Sequence, residues 1–556
     1  MRNAIVICCA ADIPRALLVA RDLPSYVCYL FDPVLVDQAA DAGLHHIEYL
    51  RWESCPPYHE LEARAHAAAT AFEQRLDAAL RDTLPALSLA GWQHLNLYYL
   101  HMSYYWYTGL WQAMEETLRG QQVHVLVCDN PAHNYAPSFL PALLLLQQLR
   151  AGGHPFTAAT YQLPTDPYHL VPDLASGLPP GVRGDVLTHL PTCFYDLNYF
   201  NAELRASGLR CLNLRAKYWG VPVVNHHDIG LIPLDAAPDT RPGVALQATL
   251  EAALDTLLAP LVGTATFRAR QAAHLAMLYR GQVICHDLLQ QALRSHAPAR
   301  LLLSDHDAGF HGPLLAYAGA HDIPVLMVPH AKTSGSTDFS YRHLTMLTHP
   351  LQATPLLDGN GRQVQHRTLC YPELQSADTG LRPLKKIGLL LNGIALNGVL
   401  CSEFSVYLDG IGQMHRWCKA HGVELVIRSR PVQSLVRLLH DAIGADPAAL
   451  QAALACSLQE FVAEIDLCLM YDAPTSAGIE VLRVGVPLLN PIPSPLGKAE
   501  GLGADTRLVP RAGIEATLAM LDDFSADPTV LHQFARQQFA GYAARFGDST
   551  PLRRFL

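Results

Sequence analysis

The chain has 556 residues, of which 50% are hydrophobic and 16% charged; this excludes a disordered protein and leaves room for two or three domains. A net charge of −10 and a pI near 6.2 argue against a general nucleic-acid binder. The longest apolar run, 139–146, is too short to span a bilayer.

Residues 4–10 are apolar, but Asp12, Arg15 and Arg21 follow without a small-residue cleavage site. They read as a first strand and not as a signal peptide, so a cytoplasmic protein is expected, with at most peripheral contact at the inner face of a membrane. Strand (4–9), helix (14–22), strand (27–31), helix (34–42) and strand (46–50) alternate, as at the start of a doubly wound parallel sheet. Two long helical patterns follow at 58–84 and 94–119. The second is rich in aromatics, including Tyr98, Tyr99, Trp106, Tyr107 and Trp111, and reads as core packed on a neighbouring helix. A strand at 123–128, a helix at 138–150 and a strand at 156–161 resume the α/β rhythm. Residues 162–185 read as a loop and 186–240 as irregular, with a polar cluster Asn225-His226-His227-Asp228 that suits a helix cap or an acid–base pair.

Helices dominate 244–296. Strand 300–304, helix 312–320 and strand 325–328 then return to α/β, and 345–384 reads as a linker between two halves. The second half runs strand (386–391), helix (404–421), strand (423–427), helices (434–443 and 458–463), then Asp466 to Pro491. That last stretch places an apolar strand, a turn of small residues ending Thr475-Ser476-Ala477-Gly478, a short helix and a second strand in one βαβ unit. The turn lies at the carboxyl end of a strand, where open α/β sheets bind ligands. Small residues let a phosphate approach backbone N–H groups at a helix N-terminus. Glu480, one turn in, could accept hydrogen bonds from both ribose hydroxyls, so the segment offers both halves of a nucleotide-diphosphate grip.

Thr475-Ser476-Ala477-Gly478-Ile479-Glu480, followed by Gly485-Val486-Pro487, resembles the donor-binding signature of GT-B glycosyltransferases, in particular the bacterial capsule and surface-polysaccharide enzymes. The likeness is clear over 385–556 and fainter over 300–330. It implies a GT-B-like α/β fold: two facing Rossmann-like domains with helical insertions in the N-terminal half. The implied division is an acceptor domain (1–344), a linker (345–384), a donor domain (385–528) and a C-terminal helix (529–556) returning to the first domain. It also implies transfer of a sugar from a nucleotide-sugar donor to a glycan or lipid-linked glycan acceptor, in the cleft between the domains.

Arg428 and Arg430, in Ile-Arg-Ser-Arg-Pro at a strand end, suit a phosphate contact. The position resembles an Arg-Pro-His-Pro element of capsule and polyol-phosphate transferases, with Ser429 for the first Pro and Arg430 for the His. Asn392-Gly393, after the first strand of the second half, suits the diphosphate side, although Asn-Gly is also an ordinary turn. On the acceptor side Asp305 and His306 end one strand and His330 the next, where a base that deprotonates a sugar hydroxyl is expected. Asp305-His306-Asp307 also suits a metal-binding DxD, but the GT-B resemblance implies a metal-independent reaction with no cofactor beyond the nucleotide-sugar. The 27 histidines show no ligand spacing and the 13 cysteines no CxxC pair, so no metal is expected and the thiols read as buried and reduced. A CDP-polyol phosphotransferase, a sugar-nucleotide epimerase of the same fold and a non-catalytic relative are the alternatives.

Overall fold

The computed structural model describes residues 2–49, 58–130, 137–163, 184–190, 197–215, 226–230, 241–294, 297–304, 311–328, 344–348, 365–368, 383–391, 404–429, 434–472, 475, 477–493, 507–545 and 549–556. The architecture is α/β, and among the described residues the strands form three wholly parallel sheets. β1 (Arg2–Ile7), β2 (Tyr26–Leu30), β3 (Ile47–Tyr49), β4 (Gln121–Cys128) and β5 (Phe156–Tyr161) take the order β3-β2-β1-β4-β5. β6 (Val186–His189), β7 (Cys211–Arg215), β8 (His226–Gly230), β9 (Arg300–Ser304), β10 (Val325–Val328), β11 (Leu344–Thr348) and β12 (Gln365–Thr368) take the order β12-β11-β10-β9-β6-β7-β8. β13 (Lys386–Leu391), β14 (Glu424–Arg428), β15 (Leu467–Tyr471), β16 (Leu488–Ile492) and β17 (Arg511–Gly513) take the order β14-β13-β15-β16-β17.

Parallel strands covered by helices on both faces read as unbroken apolar runs, and β15, Leu-Cys-Leu-Met-Tyr, is buried at every position. In the seven-stranded sheet the alternation of side chains splits the core in two. Leu301, Leu303, Val325 and Met327 pack on one face with Leu289 and Leu314 from the helices Ala265–Ala292 and His311–Ala320. Leu302, Leu326 and Val328 pack on the other with Phe200 and Leu204 of the helix Leu197–Ser207 and with Leu552 near the C-terminus.

The expected elements of 1–50 and 386–490 are present, but the expected first half carries two sheets where a single Rossmann-like domain was anticipated. Residues 186–240, read as irregular, supply β6, β7 and β8, and His226-His227-Asp228 lie within β8 instead of a cap. Two stretches of the expected linker, β11 and β12, are strands of the seven-stranded sheet. β12 reads Gln-His-Arg-Thr and β8 His-His-Asp-Ile-Gly. Both lie at the sheet's edges, where a strand lacks the apolar pattern that marks a central one.

The chain forms two compact units. One comprises Met1–Ala63, Met102–Leu163 and Glu373–Ala544, with the first and third sheets; the other comprises Arg64–His101, Pro164–Pro372 and Arg545–Leu556, with the seven-stranded sheet. Within the first unit Asp37 joins its two sheets by capping the start of the helix Val436–Ile443. Its carboxylate accepts from the Ser434 hydroxyl and, at 3.1 Å, from the Arg437 N–H. The long helix Pro528–Ala544 stays in this unit: buried Gln538 donates to the carbonyls of Leu488 (2.8 Å) and Leu508 (2.7 Å) and accepts from Leu488 N–H (2.7 Å). The last twelve residues belong to the second unit. There Leu552 N–H donates to Tyr199 (3.2 Å) and the Arg553 guanidinium to Glu203 (2.8 Å).

Candidate functional site

Each sheet changes winding direction once: between β1 and β4, between β6 and β9, and between β13 and β15. At such a reversal the connections leave on opposite sides and open a crevice beyond the carboxyl ends of the strands. For the third sheet those ends are Leu391 on β13 and Tyr471 on β15. The segment Thr475–Glu480 directly follows β15, so strand order and sequence motif coincide.

The end of β15 is held from behind. The Tyr471 hydroxyl, fully buried, donates to the Tyr407 carbonyl at 2.6 Å, and the two rings meet edge-on at 4.8 Å. A Cβ on Gly410 would fall 2.2 Å from that hydroxyl, so only glycine admits the contact. Asp472 turns the chain with φ of 63°, a strained value for a residue with a side chain. Asn490, also fully buried, fixes this turn by donating to the carbonyls of Met470 (2.5 Å) and Asp472 (3.0 Å). Beyond the turn the Thr475 N–H meets the Met470 sulfur at 3.2 Å, and the Thr475 carbonyl accepts from Gly478 N–H at 3.1 Å.

The helix Ala477–Arg483 has only seven residues, so its macrodipole is weak and any anion contact rests on individual N–H groups. Glu480 lies in its first turn with its side chain 27% exposed, 3.5 Å from the Arg483 guanidinium.

Arg428 is placed differently from the expectation. It ends β14, but its guanidinium turns back to the helix Pro447–Ala455, donating to the carbonyls of Ala453 and, at 2.7 Å, Cys456, with the Phe461 ring 6.0 Å away. Through one guanidinium nitrogen it caps a helix C-terminus. Thr475, Ala477, Gly478 and Glu480 are brought together, whereas Asn392, Gly393, Arg430 and Ser476 lie outside the described residues.

On the seven-stranded sheet, Asp305 and His306 follow β9 at the reversal and His330 follows β10; all three, with Asp307, lie outside the described residues. A residue that the sequence reading missed is His189, the last of β6 and the register partner of Leu303 on β9. It is fully buried, and its Nδ1 donates to the Leu214 carbonyl at 3.0 Å. Its signal was available: Val-Leu-Thr-His ends in a polar residue at a buried position.

Among the described residues no group of three or more His, Cys, Asp or Glu could hold a metal ion, and no helix is long and apolar enough to cross a membrane. No family model matches the chain, and no curated protein matches it. Similar solved structures include MurG of Acinetobacter baumannii and the glycosyltransferase SnogD from Streptomyces nogalater. Each is 12% identical, covering 66% of this chain and 97% of its own, with a TM-score of 0.36. MnaA of S. aureus, solved with UDP, is 8% identical over 66% of this chain and 99% of its own, with a TM-score of 0.33. Likeness of this degree carries no argument about activity; the fold stands on the strand order.

Proposed function

We propose that the chain is a nucleotide-sugar-dependent glycosyltransferase of GT-B type that binds its donor at the carboxyl edge of the third sheet. The observation that carries this reading is the coincidence of the β13/β15 reversal with the small-residue turn leading to Glu480. Glu480 receives the ribose hydroxyls, while backbone N–H groups near Thr475–Gly478 and Arg430 receive the diphosphate. Stabilising the departing diphosphate with such preset donors is electrostatic catalysis that asks for no metal. The acceptor is a surface glycan or lipid-linked glycan. Its hydroxyl is deprotonated by Asp305, with His306 and His330 as the neighbouring candidates at the ends of β9 and β10.

Calorimetry with UDP, GDP, CDP and CMP tests the donor half. One of the four binds, and Glu480→Ala weakens it by about 1–3 kcal/mol, the loss of a charged hydrogen bond. UDP or GDP preference supports a hexose donor and CDP a polyol-phosphate transfer. Failure of all four to bind would sink the reading and leave a non-catalytic relative.

A further inference from the structure

The first sheet carries a chain of polar side chains that the proposed transfer does not use. Asn3 on β1, His124 on β4 and Thr157 on β5 lie toward the amino ends of three adjacent strands. The register sets them on one face: Ile5, two residues beyond Asn3, pairs with His124, and His124 pairs with Thr157.

Each link has a direction. The Asn3 amide nitrogen donates to the Ser25 carbonyl at 2.9 Å, which turns its oxygen toward His124. That oxygen can only accept, so His124 donates to it from Nε2 at 3.2 Å. Burial holds the imidazole below its ordinary range, so at neutral pH the ring is uncharged and Nδ1 carries a lone pair. Ile5 and Leu126, its neighbours on the same face, are closed off from solvent. Nδ1 therefore accepts from the Thr157 hydroxyl, at 2.9 Å. An orienting amide, a base and an alcohol within its reach stand in the order that activates a nucleophile.

Thr157 is exposed, as are Ala158, Ala159 and Thr160 after it. β5 ends the order of its sheet, and two hydrogen bonds show which of its groups point away. Val123 N–H donates to the Pro155 carbonyl (3.0 Å) and Asp129 N–H to that of Tyr161 (2.7 Å). Thr157, Ala159 and Tyr161 thus turn their backbone groups to β4, and Phe156, Ala158 and Thr160 turn theirs outward. The Ala158 N–H, directly after the hydroxyl, is a donor at an open strand edge.

We propose that Thr157 is a nucleophile that takes acyl groups from small carboxylic esters, with His124 as its base and Asn3 positioning the ring. The Thr157 oxygen attacks the ester carbonyl, a C–O bond forms, and the hydroxyl proton passes to His124 Nδ1. The Ala158 N–H is the donor for the oxyanion. The bond to the leaving group then breaks, and the alcohol departs with the proton from Nδ1. Water repeats the sequence on the acyl-threonine: its proton goes to His124, its oxygen to the acyl carbon, and the Thr157 oxygen leaves with that proton. One ester and one water have become one acid and one alcohol.

The test incubates the full chain with para-nitrophenyl acetate, follows nitrophenol release, and locates the acetyl group by tandem mass spectrometry after an acid quench. The wild-type chain releases nitrophenol and is acetylated on Thr157. Thr157→Val loses both with its melting temperature unchanged, whereas Thr157→Ser keeps both. His124→Gln slows acylation by about 10²-fold or more. Asn3→Asp still accepts from Nε2 but sets a carboxylate beside the imidazole. The acid limb of the acylation rate, where His124 gains its proton, therefore moves up by about one pH unit; an Asn3 with a merely structural role leaves that limb in place. Acetyl groups on lysine or cysteine with Thr157 unmodified overturn the proposal, as does nitrophenol release by Thr157→Val at the wild-type rate.

Discussion

Replacing Arg428 separates a structural from a phosphate-binding role. Its guanidinium donates to the carbonyls of Ala453 and Cys456 beside the Phe461 ring, and the residue is 9% exposed. Truncation in Arg428→Ala leaves two carbonyls at a helix C-terminus without their charged donor, each charge-assisted bond being worth about 1.5–3 kcal/mol. The cation–π contact adds about 0.5–1 kcal/mol. Water entering the vacated space recovers part of this, so a net loss of about 3 kcal/mol is expected. A unit of about 300 residues unfolds with an entropy near 0.6 kcal/mol/K, so its calorimetric midpoint drops by about 5 °C. Arg428→Lys, which reaches one carbonyl, loses roughly half as much. Nucleotide affinity of the folded variant, measured by titration calorimetry below the transition, stays within about twofold. An unchanged midpoint with a tenfold weaker nucleotide would refute the capping assignment and return Arg428 to the phosphate.

Two further outcomes follow from buried polar groups. Gln538→Leu leaves the Leu488 N–H and the carbonyls of Leu488 and Leu508 without partners, so chemical denaturation shows a loss of about 3–5 kcal/mol; a loss under 1 kcal/mol would mean that the three bonds contribute little. His101 is held down to about 4 by burial first, then by Arg75 and His94. The unfolded chain therefore takes up a proton near pH 6.5 that the native state refuses. The stability present above 6.5 falls as pH drops toward 4, by about 3 kcal/mol in all. His101→Leu flattens that window in denaturation curves taken at several pH values, and an unaltered acid limb would contradict the assignment.

Much of the fold was legible because central parallel strands are apolar and short. β1, β4, β9, β13 and β15 all stand out as buried runs, and the aromatic stripe at Tyr98, Trp106, Tyr107 and Trp111 is core, as read. What stayed hidden depends on partners far along the chain. Nothing local separates β8 from a polar turn, since its strand character comes from pairing with β7. Arg428 reads as a ligand because the helix Pro447–Ala455 that it caps escaped notice, its run of Ala and Leu giving no polar face. Cys128 and Tyr161 close adjacent strands, and only the strand order makes them neighbours. The βαβ unit that carries Glu480 was readable because its parts are contiguous in the chain.

The chain passes between its two compact units five times, after residues 63, 101, 163, 372 and 544. The shortest continuous stretch that holds all of the first unit is 1–544, and for the second it is 64–556. Neither is a module that recombination could have joined by end-to-end fusion or that a single cut could release whole. A protease nick after 101, 163 or 372 divides both units at once. A fragment started at 373 to isolate the Glu480 segment would lack the first sheet and the Asp37 cap on the helix Val436–Ile443. Dissection of this protein must therefore proceed by substitution within the intact chain.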